Sequence, residues 1–342
     1  MFATLHGAYP HPAVDPGDPG AVDAAVAAVL GQQAGAGLTL LTGGGILDPD
    51  LLAATVAGMT GLELRATGPG SSARVRVAGL PEWQRPGVVE GWQRTAALSE
   101  LPVKARIVGP YSLGRRAERR GLGRRRLTLA FARALNTELR ALAEAGCAFV
   151  QVEEDEAIRV GQSAVERALF RDAQDLLLDG VPDAPAGLHR SLAVSGGNAD
   201  IAGPETFFSA AYESYFFDLI QGPDNWRLIT RAPAERGIIC GAVDARDPRI
   251  DDKELVIWAA SYAASGGRGY ERVGVAPAGS LAGLDPAVAR RKIDVLGASA
   301  RIVEARAETP IQAQLDPRAV DSRSAAVGRW TPPSELPPRR PR

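Results

Sequence analysis

Along most of this chain, short apolar runs alternate with longer stretches in which apolar positions return every three or four residues. Eight such runs read as strands: "ATLHG" (3–7), "LTLLTG" (38–43), "KARIVG" (104–109), "FVQVEE" (149–154), "SLAVSG" (191–196), "YFFDLI" (215–220), "GIICGAVD" (237–244) and "RVGVAP" (272–277). Between them lie amphipathic segments such as "RLTLAFARALNTELRALAEAG" (126–146), which closes on Gly146, and "ELVIWAASYAASGG" (254–267). Strands alternating with helices predict parallel βα units, and eight of them predict an α/β fold of the (β/α)8 TIM-barrel type. An open doubly wound sheet is the rival architecture, but it rarely needs eight strands.

Two segments break the regular count. "SSARVRVAGLPEW" (71–83) alternates like a hairpin and is expected to decorate the connection between the second and third strands. The tail at 307–342 is rich in Pro and Arg with little periodicity, so it reads as an extended or disordered arm outside a barrel spanning 1–306.

Composition narrows the function classes. A formal charge of −1 over 342 residues argues against general nucleic-acid binding, which usually needs a strongly basic surface. Two cysteines cannot build a disulfide framework and suit a reducing compartment. No signal-peptide pattern opens the sequence, and no run approaches the ~18 apolar residues of a membrane helix. The expectation is a cytoplasmic protein, monomer or homodimer, with no membrane or nucleic-acid partner.

In such a barrel the chemistry sits at the C-terminal ends of the strands. The run "QVEEDEA" puts Glu153, Glu154, Asp155 and Glu156 at one of them. Mutual repulsion should raise some of their pKa values, or a cation such as Mg²⁺ or Mn²⁺ should sit nearby. Glu153, Glu154, Glu156, His6 and Asp244 are the catalytic candidates. Tyr9, His11, Tyr111, Gln151, Ser195, Asn198 and Asp218 are candidates for holding a substrate. Each carboxylate has the alternative of capping a helix, and each aromatic that of packing. "GRRAERRGLGRRR" (114–126) carries seven arginines against one Glu, and Arg115 and Arg116 are its candidates for closing on a small anionic substrate. The alternative is a solvated helical face. Cys240, among isoleucines, reads as a buried small hydrophobe.

"HGAYPHP", "KARIVGPYSLG", "LAEAGCAFVQVEEDEA", "AVSGGN", "YFFDLIQGPD" and "GIICGAVDAR" fall in the order and spacing of the catalytic barrel of cobalamin-independent methionine synthase, which the chain resembles from about residue 4 to 305. The wider superfamily includes uroporphyrinogen decarboxylase. The resemblance implies a zinc ion that holds a thiol acceptor as thiolate. Carried over, its ligand positions fall on Ala193, Ser195, near Phe216, and on Gly279 or Ser280, none of which offers a strong zinc donor. The substrate-gripping Gly-Ser pair reads Gly7-Ala8, and the Glu after the second strand falls on Gly45. The aromatic that stacks on the folate pterin falls near Arg116, and the proton-donating His near Arg246. Only the substrate-binding Asp has a counterpart, Glu153, expected to point inward with a raised pKa.

The resemblance therefore implies a methionine synthase-like enzyme that is not a methionine synthase. It would be a zinc-independent transferase of a methyl, one-carbon or small alkyl group, in specialised biosynthesis. Zinc is not expected. Methyltetrahydrofolate is the donor that inheritance would supply, although its stacking residue is lost. A zinc-free decarboxylase or lyase, and a non-catalytic binding protein on a degenerate barrel, are the alternatives.

Overall fold

The computed structural model describes residues 1–65, 73–183 and 187–305. The tail at 307–342 lies outside the described residues. The strands are β1 (Phe2–Ala3), β2 (Met59–Arg65), β3 (Arg74–Trp83), β4 (Ala105–Val108), β5 (Phe149–Glu153), β6 (His189–Val194), β7 (Ser214–Asp218), β8 (Gly237–Val243) and β9 (Val273–Pro277). The helices are α1 (Pro19–Ala36), α2 (Leu51–Val56), α3 (Val89–Ala96), α4 (Pro110–Arg116), α5 (Arg124–Glu144), α6 (Ala164–Leu178), α7 (Pro204–Phe208), α8 (Trp226–Ile229), α9 (Lys253–Ala264) and α10 (Pro286–Ala305).

Seven strands form one parallel sheet in the order β1-β9-β8-β7-β6-β5-β4. Its two edges are joined by the second expected strand, which is reduced to two parallel bridges, Thr4 with Leu40 and Leu41 with Val103. The ring is thus a (β/α)8 barrel with one weak stave. Above Leu41 the wall beside β4 has no ladder partner, and the Val108 amide is satisfied instead by the Thr55 hydroxyl of α2.

The expected hairpin stands between the second and third staves, but the alternating stretch at 71–83 supplies only one arm. Arg74–Trp83 pairs antiparallel with Met59–Arg65, whose Gly61 and charged residues masked the strand pattern in the sequence. The tip, 66–72, lies outside the described residues.

Strand alternation explains the layering. In β5, Val150 and Val152 are fully buried against the helices, while Phe149, Gln151 and Glu153 face the bore. Leu40, Phe149, Ala193, Phe216, Ile239 and Ala276 form a separate apolar cluster that plugs the barrel interior, with Phe2 against it. His189, stacked on Phe149 and 2.8 Å from Ser214 Oγ, is polar at the N-terminal end of the bore, and a second polar group gathers towards the C-terminal ends of the strands. The outer core is the contact between strands and helices, and there Cys240 is fully buried, as its neighbours in sequence implied.

Candidate active site

Above the plug, β4 directs two cations into the bore. Lys104 is almost fully buried, and its ammonium donates to the Leu5 carbonyl at 2.6 Å and to Gln151 Oε1 at 2.7 Å. Gln151 Nε2 lies 2.8 Å from His6 Nδ1 and 2.9 Å from Glu153 Oε1. Because the amide oxygen is taken by Lys104, the amide NH2 is the donor to His6, so Nδ1 accepts and the ring proton sits on Nε2. Arg106 Nε donates to Glu153 Oε1 at 2.8 Å, and its outer nitrogen lies 3.7 Å from Asp48. His6 also stacks on Phe216, with ring centroids 4.2 Å apart.

These contacts set the protonation states. Burial alone would raise the Glu153 carboxyl, but Arg106, His6 and Lys104 outweigh it and hold the group down to about 2. The raised pKa expected for Glu153 is therefore corrected: its partners are cations, not the neighbouring carboxylates. Burial pushes His6 down to about 4 against the pull of Glu153, so its ring is neutral at pH 7. Burial and the Arg106 charge bring Lys104 down to about 7. The group poised near neutrality is a lysine.

The remaining carboxylates of 153–156 face other ways. Glu154 is fully buried behind the barrel wall, where it accepts from the Tyr111 and Ser112 amides, the Ser112 hydroxyl and Gln174. Burial raises it to about 7, yet it lines neither cavity of the mouth, so its expected catalytic role is corrected to that of an anchor for α4. The absent side chain of Gly109 makes room: a Cβ there would lie 2.3 Å from Glu154 Cδ. Glu156 bonds Arg159 at 2.9 Å and Arg115 at 3.3 Å, and Asp155 pairs with Arg116. The arginine-rich run is thus largely spent on intramolecular carboxylates, Arg124 and Arg115 meeting Glu166 as well.

Several other sequence candidates take structural places. Tyr9 is buried and donates to Gln32 of α1 at 3.0 Å, and Tyr111 is buried and donates to Glu166 at 2.6 Å, so neither stands at the rim. Asp218 is buried and accepts from the amides of Gly196, Ile220 and Gln221, which fixes the loops after β6 and β7. Asp244 accepts from the amides of Arg246 and Asp247, a local turn. Asn198 is exposed and exchanges hydrogen bonds with Asp224. His11 is exposed with Nδ1 2.8 Å from the Pro12 carbonyl, and Ser195 is half-buried at the end of β6. Asp218 and Asp244 are occupied by free loop amides at the strand ends, whereas the Tyr9 and Tyr111 hydroxyls are drawn to Gln32 and Glu166 on neighbouring helices.

Two cavities border this network. One of about 190 Å³ opens over β4 and β5, with Arg106, Arg116, Glu153 and Asp155 against Leu51 and Leu52. The other, about 80 Å³, lies between the Thr42–Gly45 turn, α3 and β4, with Asp48, Lys104 and Arg106 on its wall. Arg106 borders both. Lys104, Arg106 and Asp48 were missed from the sequence, although the alternation in "KARIVG" already put Lys104 and Arg106 on one strand face.

The residues do not fit a zinc ion. Ala193 and Phe216 belong to the apolar plug, and the Ser280 hydroxyl donates to the Ala8 carbonyl at 3.2 Å. Among the described residues no three His, Cys, Asp or Glu side chains are grouped to hold a metal ion, which also leaves the Mg²⁺ or Mn²⁺ alternative without a ligand set. Among the same residues, no helix is long and apolar enough to cross a membrane.

The fold is a parallel (β/α)8 barrel with a polar mouth at the C-terminal ends of its strands. No family model and no curated protein matches the sequence. Solved structures do. A B12-independent methionine synthase from Shewanella sp. W3-18-1, solved with selenomethionine, superposes with a TM-score of 0.71 at 16% identity, over 89% of this chain and 98% of that one. A putative vitamin-B12-independent methionine synthase from Listeria monocytogenes gives 0.69 at 13% identity, over 89% and 98%. A methyltransferase from Methanosarcina mazei gives 0.56 at 14%, over 84% and 86%. The chain shares the barrel fold of these proteins, as the resemblance in the sequence implied.

Proposed function

We propose that this protein is a methionine synthase-like barrel enzyme that is not a methionine synthase. In this reading it transfers a methyl, one-carbon or small alkyl group on a small anionic molecule, without zinc, in specialised biosynthesis in the cytoplasm. The observation that carries the reading is Arg106, a buried guanidinium that borders both cavities and is held in place by Glu153. A guanidinium so fixed, with Nε on Glu153 and Nη1 3.7 Å from Asp48, can offer its remaining N–H groups to a carboxylate or phosphate at little entropic cost. Arg116 at the cavity rim adds a second cation. Lys104 supplies a group that accepts or returns a proton near pH 7.

No thiolate-on-zinc step is part of this scheme, since Ala193, Phe216 and Ser280 offer no suitable donors. A folate donor finds an arginine committed to Asp155 where an aromatic face is needed. The same cationic pair favours a second reading, a decarboxylase or lyase, because cations beside a departing carboxylate stabilise the negative charge left behind.

Thermal-shift titration with small mono- and dicarboxylates tests the anion site. Wild type should be stabilised saturably, and Arg116→Gln and Arg106→Lys should need roughly 10-fold more ligand. Equal stabilisation of all three proteins would remove the site from this mouth. Micromolar binding of methyltetrahydrofolate with turnover to tetrahydrofolate would restore the inherited donor.

A further inference from the structure

Lysine is rare in this chain: of 39 basic residues only three are lysine, at 104, 253 and 292. Lys253 is exposed at the start of α9. Lys292 is buried but ion-paired with Asp251 at 2.6 Å. Lys104 differs from both. Its nitrogen meets two neutral carbonyl oxygens and, among the described residues, no carboxylate in ion-pair contact, while Arg106 stands two residues along the same strand face. A neutral amine has two N–H bonds to give, and those acceptors take both, which leaves a lone pair. Arginine, which replaces lysine almost everywhere else here, cannot lose its proton and so cannot do this.

The surroundings suit a reaction at that lone pair. Lys104 lines the cavity of about 80 Å³ beside the second stave, which holds a molecule of only a few heavy atoms. Arg106 shares that wall and can take a carboxylate. Asp48 is the one carboxyl on the wall among the described residues, and burial raises its pKa against the pull of Arg106.

We propose that Lys104 is a nucleophilic amine that condenses with the carbonyl carbon of a small 2-oxo acid, whose carboxylate is held by Arg106. The nitrogen lone pair forms a C–N bond as the carbonyl π bond opens onto oxygen. Both amine hydrogens leave with that oxygen as water, Asp48 relaying one of them, and a C=N bond remains. No oxidant, reductant or metal is consumed. This goes beyond the anion-binding reading and rests on it only for the role of Arg106. Burial is what makes the amine available, since at a pKa of about 7 half of it is free at pH 7.

Pyruvate with sodium cyanoborohydride, followed by peptide mass mapping of the folded wild-type protein, is the test. The borohydride reduces the C=N bond to a secondary amine that survives digestion. Lys104 should carry the adduct at least about 10-fold faster than Lys253, given the larger free-amine fraction. Lys104→Met should lose it, with folding checked by circular dichroism. Lactate, which has the carboxylate but no carbonyl, should slow the labelling. Labelling confined to Lys253 and the N-terminus would overturn the proposal and leave Lys104 as a brace between β1, β4 and β5. If lactate and pyruvate still stabilise the protein in that case, the anion site stands without the nucleophile. If neither binds, both fall.

Discussion

Glu153 and Glu154 are neighbours in sequence with opposite fates, and strand alternation is the cause. Glu153 faces cations in the bore, and Glu154 faces amides behind the wall. Glu154→Gln puts an NH2 where one oxygen now accepts, so the donors of Ser112, Tyr111 and Gln174 lose partners. Stability should fall by about 1–3 kcal/mol in urea melts, while binding at the mouth should stay within twofold if Glu154 takes no part in it. Glu153→Gln should cost more, about 3–5 kcal/mol, because it leaves Arg106 buried with only Asp48 beside it. The pH dependence has a definite sign. Glu153 titrates near 2 when folded against an ordinary 4.5, so its stabilisation is complete above pH 4.5 and is lost as pH falls towards 2. His6 adds to this, because unfolded chains take up its proton near 6.5 and the folded one only near 4. Glu154, raised to about 7, opposes this between 7 and 4.5, while His189, lowered to about 4, reinforces it. Wild type should therefore lose stability on balance below pH 6.5, and His6→Gln should lessen the loss between 6.5 and 4.

At the level of elements, the barrel seam depends on how closely α10 approaches the end of α1. Gly297 sits in α10 with its missing side chain 1.9 Å from the Ala36 carbonyl oxygen, a backbone atom that cannot swing aside. Gly297→Ala must separate the two helices, although alanine is the better helix former. A loss of about 2–3 kcal/mol by denaturant unfolding is expected, against a gain of about 1 kcal/mol for the same change at a free helical site. The second stave shows why an apolar run is not yet a strand. "LTLLTG" has the right pattern, but with Thr42–Gly45 turning away it keeps two bridges, and the gap beside β4 becomes the smaller cavity.

Across the whole molecule, two of the four positions onto which the resemblance carries zinc ligands, Ala193 and Phe216, are part of the plug that fills the bore. Exhaustive dialysis against a chelator should leave the melting temperature and any binding at the mouth unchanged. Stoichiometric zinc that survives dialysis, and whose removal lowers the melting temperature, would refute this.

The sequence by itself determined the barrel, because eight apolar runs separated by helical periodicity admit few other parallel arrangements. It also determined the inward direction of Gln151 and Glu153, since side-chain alternation in a strand is a local rule. What only the tertiary structure decided is which charges meet. Lys104 and Arg106 are 47 residues from the Gln151 and Glu153 they contact, and His6 is 145 from Gln151. Protonation follows from those long-range neighbours and from burial. A run of four carboxylates could thus be read in one dimension as mutual repulsion, while folding sends them to opposite sides of the wall and supplies each with its own partners.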